Sequence, residues 1–302
     1  MSKNLPKLAV NILTYKTDVK ILKNCIDSID KSIPINIIEN SNKFVDKNFF
    51  KKKRKNIKFY CTGENYGYGK GHNYGLSKVK NRYVLICNPD VIFKKNYFKN
   101  IFKILNNGLE FSMIGSQYSK NEMNKPAYGL FNIKKFNPEI EKDKFGLQKA
   151  NWIVGCTILF DLSKFLNKKI FDEKFFLFYE ETDLCKRITS KNGIIYSGSN
   201  LIIKHLGEKS SFAIKSKFKF DYIKLRNWHL MWSSFYFKKK YNGYFYSFIN
   251  HFPSVIKDLL KTLIYLLFFK KEKYIKHFYR FLGLYNSMIG NKSKFRVRYK
   301  FG

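Results

Sequence analysis

Acidic residues are scarce in this 302-residue chain. It has 22 Asp and Glu against 58 Lys and Arg, a formal net charge of +36. A surface of that sign attracts polyanions such as nucleic acid, anionic lipid or phosphorylated substrates. The imbalance is uneven, since residues 191–302 hold 23 basic residues and only 4 acidic ones. Cysteine is also sparse: Cys25, Cys61, Cys87, Cys156 and Cys185 make an odd number with no C-x-x-C pair. Neither a disulfide framework nor a zinc site is implied, and a reducing cytoplasm is the expected setting. No stretch reaches about 18 uninterrupted apolar residues, so no spanning helix is expected. The first residues, Met1 to Pro6, lack the apolar region of a signal peptide. No internal repeat is present. Aromatics are abundant, with 31 Phe and 21 Tyr, and 45% of the residues are hydrophobic. That suffices for one large domain, or for a domain with an appendage.

Short apolar runs alternate with helical spacing in the first third. Leu8–Leu13 reads as a strand ending at Thr14-Tyr15, and Asp18–Ile29 as an amphipathic helix. Ile35–Ile38 is a second strand, ending at Glu39-Asn40-Ser41, and Ile57–Cys61 a third. The basic run Lys51–Lys55 reads as solvated. Residues 73–80 suggest a helix start, before a strand at Tyr83–Cys87. Such alternation predicts an α/β fold with a mostly parallel sheet. Residues 116–148 read as a long polar loop or lid. Trp152–Phe160 is a strand candidate, and so are Ile194–Tyr196 and Leu201–Ile203. Phe175–Ile188 looks helical in its second half. From about residue 213 the pattern is helical, aromatic and basic.

Asn88-Pro89-Asp90 follows the Tyr83–Cys87 strand directly. In open α/β sheets, ligands bind outside the carboxyl ends of strands. A carboxylate there can hold a divalent cation, which in turn can hold a diphosphate. The tripeptide is also a common turn. The segment Gly63–Asn73 is glycine-rich but is neither a Walker A loop nor a dinucleotide fingerprint. It offers flexible backbone and N–H donors near a helix start, or simply a turn that needs positive φ. Glu180-Glu181-Thr182-Asp183 is the densest acidic cluster. Mutual repulsion there raises at least one proton affinity and favours a general base, while acids also suit the first turn of a helix. His205 follows a short apolar strand, and imidazole is a common metal ligand.

In this order, the pieces resemble the inverting nucleotide-sugar glycosyltransferases of family 2, which have the GT-A fold. The matching segments are Val10–Tyr15, Glu39-Asn40-Ser41, Asn65–Gly69 with Asn73, Val84–Asp90, Gly155-Cys156, Phe178–Leu184 with Arg187, and His205-Leu206-Gly207 with Ser210. They cover about residues 7–212 and look most like the bacterial rhamnosyltransferase branch, which uses dTDP-rhamnose in O-antigen and other cell-surface polysaccharide assembly. The resemblance implies a catalytic domain over residues 1–212. Its nucleotide-sugar site would draw on Thr14, Tyr15, Glu39, Asn65, Gly67, Asn73, Asn88 and Asp90. A Mg2+ or Mn2+ ion would sit on Asp90 and His205. Glu181 would be the catalytic base, with Asp183 as the alternative. Three positions depart from the family pattern: Glu39 and Glu181 stand where Asp is usual, and Asn88 replaces the first acid of D-x-D.

Residues 213–302 are expected to form a separate basic, helical region. Val255, Ile256, Leu259, Leu260, Leu263, Ile264 and Leu267 make one helical face, with Lys257, Asp258, Lys261 and Thr262 opposite. Such a helix suits an anionic membrane surface, and its other reading is a helix packed on the catalytic domain. The resemblance adds a saccharide or lipid-linked saccharide acceptor, and with it a peripheral location on the cytoplasmic face of the inner membrane. Two alternatives belong to other classes. One is a catalytically inactive scaffold; the other is a basic nucleic-acid-binding protein, which no recognisable module supports.

Overall fold

All seven residues of the first strand, β1 (Leu8–Thr14), are buried. A strand covered on both faces has no solvent side to mark with polar residues, which explains its nearly unbroken apolar run. In the computed structural model, which describes residues 7–44, 46–119, 128–129, 144–207 and 218–297, β1 is followed by α1 (Val19–Asp27), β2 (Ile35–Glu39), α2 (Lys47–Lys53), β3 (Ile57–Cys61), α3 (Tyr68–Ser77) and β4 (Tyr83–Cys87). Asp18 caps α1 by accepting the Lys20 amide at 2.8 Å, and Leu22, Cys25 and Ile26 form its buried side. β1 pairs in parallel with β2 and β4, and β2 with β3. Parallel neighbours need crossover connections, which the intervening helices supply.

The alternation then breaks down. β5 (Val91–Phe93), α4 (Tyr97–Asn106), β6 (Met113–Tyr118), β7 (Tyr128–Gly129), β8 (Leu147–Lys149), β9 (Trp152–Ile153), β10 (Thr157–Asp161), α5 (Glu180–Thr189) and β11 (Ile195–His205) come next. Among the described residues the main sheet has nine strands in the order β3-β2-β1-β4-β10-β6-β11-β5, with β8 also on β11. β10 runs antiparallel to β4 and β6, β5 antiparallel to β11, and β6 parallel to β11. The expected parallel sheet is therefore concentrated in β3-β2-β1-β4, and the remainder is mixed.

Several local expectations are corrected. Trp152–Phe160 is two strands, β9 and β10, interrupted before Thr157. The two short strands expected at 194–203 are one strand, β11, whose register slips between Gly198 and Ile202. Helix α3 begins at Tyr68, inside the glycine segment rather than at 73. Its glycines serve close packing. A Cβ on Gly71 would meet the Leu13 side chain at 2.8 Å, and one on Gly75 would meet Ile38 at 2.9 Å. The lysines of the 51–55 run are exposed, as expected, but Arg54 donates to the Ile29 carbonyl at 3.0 Å. Most of the loop expected at 116–148 lies outside the described residues, while its ends belong to β6 and β8.

The chain divides into two compact units. Of the described residues, 7–66, 70–171 and 181–207 form the first, and 67–69, 172–180 and 218–297 the second. The second unit is built on α6 (Lys219–Asn242), α7 (Tyr244–Leu267) and α8 (Lys271–Met288), which pack on one another. Met231, Phe235 and Leu284 form its apolar centre. On α7 the buried residues are polar: Ser247, His251, Asp258 and Thr262. Asp258 is fully enclosed, accepting from His277 Nδ1 at 2.7 Å and from Arg280 Nε at 3.0 Å. The apolar side of α7 faces outward, with Phe245 81% and Ile249 68% exposed, and Ile256, Leu260 and Leu263 about half exposed.

Helices α6 and α8 approach closely at Gly283, where a Cβ would lie 2.1 Å from the Trp228 carbonyl oxygen. Backbone cannot yield as a flexible side chain does. Gly283→Ala is therefore expected to destabilise the second unit by about 1–3 kcal/mol, measured by chemical denaturation. A wild-type midpoint would show that the two helices separate freely.

Candidate active site

The carboxyl ends of β1 and β2 share one buried carboxylate. Glu39 accepts from Thr14 Oγ1 at 2.7 Å, from Ser41 Oγ at 2.6 Å and from the Lys16 amide at 3.1 Å. Lys16 takes a left-handed backbone (φ 49°) to present that amide. A carboxylate offers about four acceptor positions, so three donors leave one to spare. Next to it, Asn40 accepts the Tyr66 amide at 2.9 Å and donates to Asn65 Oδ1 at 3.1 Å. Asn65 thus helps tie the start of the glycine segment to the end of β2. Tyr15 directly follows β1 and is partly exposed.

Asn88-Pro89-Asp90 is a tight turn, with the Val91 amide approaching the Asn88 carbonyl at 3.4 Å. Pro89 supplies the φ that its second position requires. The turn and site readings of this tripeptide are therefore compatible. Asn88 is further fixed by donating its amide to the Cys156 carbonyl at 2.9 Å. Asp90 is 1% exposed, and neither of its carboxylate oxygens accepts a hydrogen bond among the described residues. β5 starts immediately after it and pairs with the end of β11, setting His205 opposite Val91. The Leu206 amide donates to the Asp90 carbonyl at 3.0 Å. The imidazole Nε2 lies 3.3 Å from Asp90 Oδ1, close but not aligned as a hydrogen bond. A buried carboxylate that accepts no hydrogen bond among the described residues, with an imidazole nitrogen 3.3 Å away, fits a divalent cation. Among the described residues no third His, Cys, Asp or Glu joins them.

The acidic cluster is sorted by its partners. Asp183 is fully buried and accepts from Arg187 Nε at 2.7 Å, one helical turn on. Arg187 also donates to the Ile170 carbonyl at 2.6 Å. The Arg187 guanidinium thereby holds the Asp183 carboxylate in place. Glu181 is only partly covered, yet the protein packed around its carboxyl raises its proton affinity above the ordinary range. It sits in the first turn of α5, where the helix end favours the anion; burial outweighs that effect. The two residues before the helix, Phe178 and Tyr179, both have positive φ, 69° and 71°. Consecutive bulky residues in this region cost about 1–3 kcal/mol each. Strain of this kind clusters at functional segments. Thr182 accepts the Trp152 indole N–H at 3.0 Å, which anchors the same turn.

Tyr118, at the end of β6, escaped the sequence reading because it lies in the segment read as loop. Its ring stacks on His205, with centroids 5.9 Å apart and planes within 12°. Its Oη accepts from Cys156 Sγ at 3.6 Å. Burial pushes the Cys156 thiol up to about 12, despite its bonds to Tyr118 and Thr157, and the charges of Asp90 and Glu181 add to the rise. Burial likewise raises Tyr118, with smaller contributions from the same two carboxylates. Asp90, Glu181, Tyr118, Cys156 and His205 therefore share one neighbourhood in the first unit. Two of the expected ligand residues also have structural roles. Asn73 uses both amide atoms on the Phe171 backbone, each at 2.9 Å. Gly67 has a left-handed φ of 78°, and a Cβ there would meet the Phe176 carbonyl oxygen at 2.2 Å. Ser210 lies outside the described residues.

A family model described as "Glycosyl transferase family 2" matches residues 10–175. Among curated proteins, the chain is 24% identical over 198 residues to the "Low-salt glycan biosynthesis hexosyltransferase Agl10" of Haloferax volcanii, covering 62% of this chain and 63% of that protein. It is 26% identical over 151 residues to the "Rhamnosyltransferase WbbL" of Escherichia coli K12, covering 43% and 57%. The chain thus spans about three fifths of the length of these curated relatives. Among solved structures, the mannosyltransferase PcManGT from Pyrobaculum calidifontis, in complex with GDP-Man and Mn2+, superposes with a TM-score of 0.54. That match covers 94% of this chain and 88% of that one at 8% identity. At such identity the likeness establishes the fold, GT-A.

The raised proton affinity of Glu181 has a signed consequence for stability. Below its ordinary value of 4.5 the folded and unfolded chains both hold the proton, and the term vanishes. As pH rises, the unfolded chain ionises first, so stability is lost through the window between 4.5 and the raised value. Glu181→Gln removes that loss. The variant should gain stability relative to wild type as pH rises from about 4 to 8, followed by thermal melts. A difference that does not change with pH would contradict the raised affinity.

Proposed function

Because this chain belongs to glycosyl transferase family 2, we propose that it is an inverting glycosyltransferase, moving a sugar from a nucleotide-sugar donor to a saccharide or lipid-linked saccharide acceptor. The observation that carries this reading is the buried Asp90 carboxylate, without hydrogen-bond donors among the described residues and with His205 Nε2 3.3 Å away. Burying a carboxylate without donors costs several kcal/mol, on the order of the penalty for an unpaired buried ion, unless a cation compensates. Asp90 and His205 would hold a Mg2+ or Mn2+ ion, which when bound offsets charge developing on the departing diphosphate. The PcManGT complex, with its Mn2+ and GDP-Man, supports that assignment.

The chain's own residues supply the rest. Glu39, with three protein donors and one acceptor position to spare, would take an N–H of the nucleobase. Thr14 and Ser41 keep its carboxylate aimed. Glu181 takes the proton of the acceptor hydroxyl. The acceptor oxygen bonds to the anomeric carbon from the face opposite the leaving group. The bond from that carbon to the phosphate oxygen breaks, and its electron pair leaves with the nucleoside diphosphate. A base with raised proton affinity suits this step, because it receives the proton more readily at neutral pH. Likeness to the rhamnosyltransferase WbbL puts a nucleotide-activated rhamnose first among donors to test; the motif resemblance to the rhamnosyltransferase branch adds dTDP as its nucleotide and cell-surface polysaccharide assembly as the setting.

The second unit supports attachment to an anionic membrane. Among the described residues no helix is long and apolar enough to cross a bilayer. Helix α7 is instead turned so that its polar residues pack inward and its apolar face is left outside. At about 1.5 Å per residue, its 24 residues span roughly 36 Å. Exposed apolar residues run from Phe245 to Leu267 and on to Phe269, so the helix would lie flat in the interface. Lys257 and Lys261 lie along it, and Lys270, Lys271 and Lys273 follow its end. Each Lys near an anionic surface adds on the order of 1 kcal/mol, decaying within a Debye length. The location we propose is peripheral, on the cytoplasmic face of the inner membrane.

The enzyme reading is tested with a panel of sugar nucleotides and Mn2+. A donor at about 100 times its dissociation constant should stabilise the fold by roughly 2.7 kcal/mol. Asp90→Ala should keep the fold and lose metal-dependent nucleoside diphosphate binding; equal affinity with and without EDTA in both proteins would sink the metal role. Glu181→Gln should retain donor binding and lose about 10²–10⁴-fold in kcat. Near-normal turnover in that variant would return the role to Asp183.

The membrane reading has its own test. The full chain should bind anionic vesicles at low salt and be partly released at high salt. Leu260→Glu with Leu263→Glu should abolish binding while leaving the melting profile unchanged. Indifference of the wild type to anionic vesicles defeats this claim and leaves the enzyme reading standing.

A further inference from the structure

A metal-ligating imidazole must present one nitrogen to the ion and resist rotation. His205 stands at the very end of β11, where no further ladder pairing follows it. Its ring lies parallel, within 12°, to that of Tyr118. Tyr118 is itself fixed at three points. Its backbone pairs with Ile203, two residues before His205. The next amide, of Ser119, donates to the Ile203 carbonyl at 2.9 Å. Its hydroxyl accepts from Cys156 Sγ at 3.6 Å. The Cys156 carbonyl in turn accepts the Asn88 amide, at the head of the turn that carries Asp90. The contacts close a circuit from the Asp90 turn through His205, Tyr118 and Cys156 back to Asn88.

We propose that Tyr118 is a positioning residue for the cation site: its ring, stacked on His205, holds the imidazole with Nε2 toward Asp90. The inference rests on the assignment of that site to a divalent cation. Its energetic content lies in pre-organisation, since a ligand already aimed loses less freedom when the ion binds. Outer contacts that orient a metal-binding histidine typically matter about 10–100-fold in affinity. The flat ring carries the effect. The hydroxyl, held by a weak thiol donor, contributes little to it.

The experiment titrates Mn2+ alone into the full chain, reading free ion by electron paramagnetic resonance. Wild type should bind saturably, and Asp90→Ala and His205→Ala should not. Tyr118→Leu keeps apolar volume but removes the flat ring, and Tyr118→Ala removes both. Each should weaken Mn2+ about 10–100-fold, while Tyr118→Phe stays near wild type. Melting curves identify any variant that fails to fold, and Tyr118→Leu serves if Tyr118→Ala does. Wild-type affinity in Tyr118→Leu overturns the inference and leaves the cation site intact. Equal weakening in Tyr118→Phe also overturns it, by placing the effect in the hydroxyl. Absence of saturable binding in the wild type, or its survival in Asp90→Ala, fails the cation reading itself and the inference with it.

Discussion

A carboxylate withdrawn from water and given no hydrogen-bond donor among the described residues is the constraint around which the first unit is organised. A cation or movement into solvent would relieve the cost at Asp90. The fold blocks movement. β4 leads into the turn, β5 leads out of it, and β11 closes over it through the Leu206 amide. The antiparallel pairing of β5 with β11 brings His205 to Asp90 although 115 residues separate them in sequence. The parallel strands β3-β2-β1-β4 bring their carboxyl ends together in the usual way of an α/β sheet. Beyond β4, β10 runs antiparallel and starts beside Cys156, while β6 and β11, parallel to each other, end at Tyr118 and His205, so all three residues reach the same end. The mixed half of the sheet is therefore what brings His205 and Tyr118 to Asp90, while the parallel half assembles the Glu39 cradle.

In the second unit the ordinary rule of burial is inverted on one helix. A buried ion cluster is weak evidence for stability, because desolvation offsets much of the Coulomb attraction. Its clearer effect is on orientation. Asp258 must remain with His277 and Arg280, since exposing the pair members separately would forfeit their hydrogen bonds. With Asp258, Thr262, His251 and Ser247 on the inside, Leu260, Leu263 and Leu267 can only point away. The polar stripe thus fixes which side of α7 the apolar residues occupy. Exposed side chains of that size, in one continuous face, gain free energy wherever an apolar medium covers them.

Much of this was legible in the chain. β1, β2, β3 and β4 stand out because buried parallel strands are short, apolar and bounded by polar residues. The Asn88-Pro89-Asp90 turn could be read because its position after β4 matters as much as its composition. Other features depend on partners far away in sequence. Nothing in Glu180-Glu181-Thr182-Asp183 says which acid meets Arg187, since both helical spacing and the path of Ile170 decide it. Tyr118 looks like any aromatic until β6 and β11 are paired. The glycines of α3 were read as flexible backbone, but their purpose is contact with Leu13 and Ile38 across the sheet. For α7 the helical wheel gives two faces correctly, yet it cannot say which one turns inward.

Scarcity of acid gives the remaining carboxylates their meaning. In a chain of net charge +36 a cation is seldom far from any Asp or Glu. Asp161 takes Arg82, Asp172 takes Lys240 and Tyr236, Asp183 takes Arg187, and Asp258 takes His277 and Arg280. Glu39 is held by three neutral donors. Asp90 and Glu181 behave differently. Asp90 accepts no hydrogen bond among the described residues, and burial dominates the proton affinity of Glu181 with no protein cation offsetting it. Leaving a buried Asp90 and a partly covered Glu181 without a neutralising cation among the described residues is energetically unfavourable for the protein alone. In the reading proposed above, a divalent cation would offset that cost at Asp90 and a proton from the acceptor hydroxyl would offset it at Glu181. Under that proposal, the electrostatic deficit of the folded chain and the demands of glycosyl transfer would complement one another at these two residues.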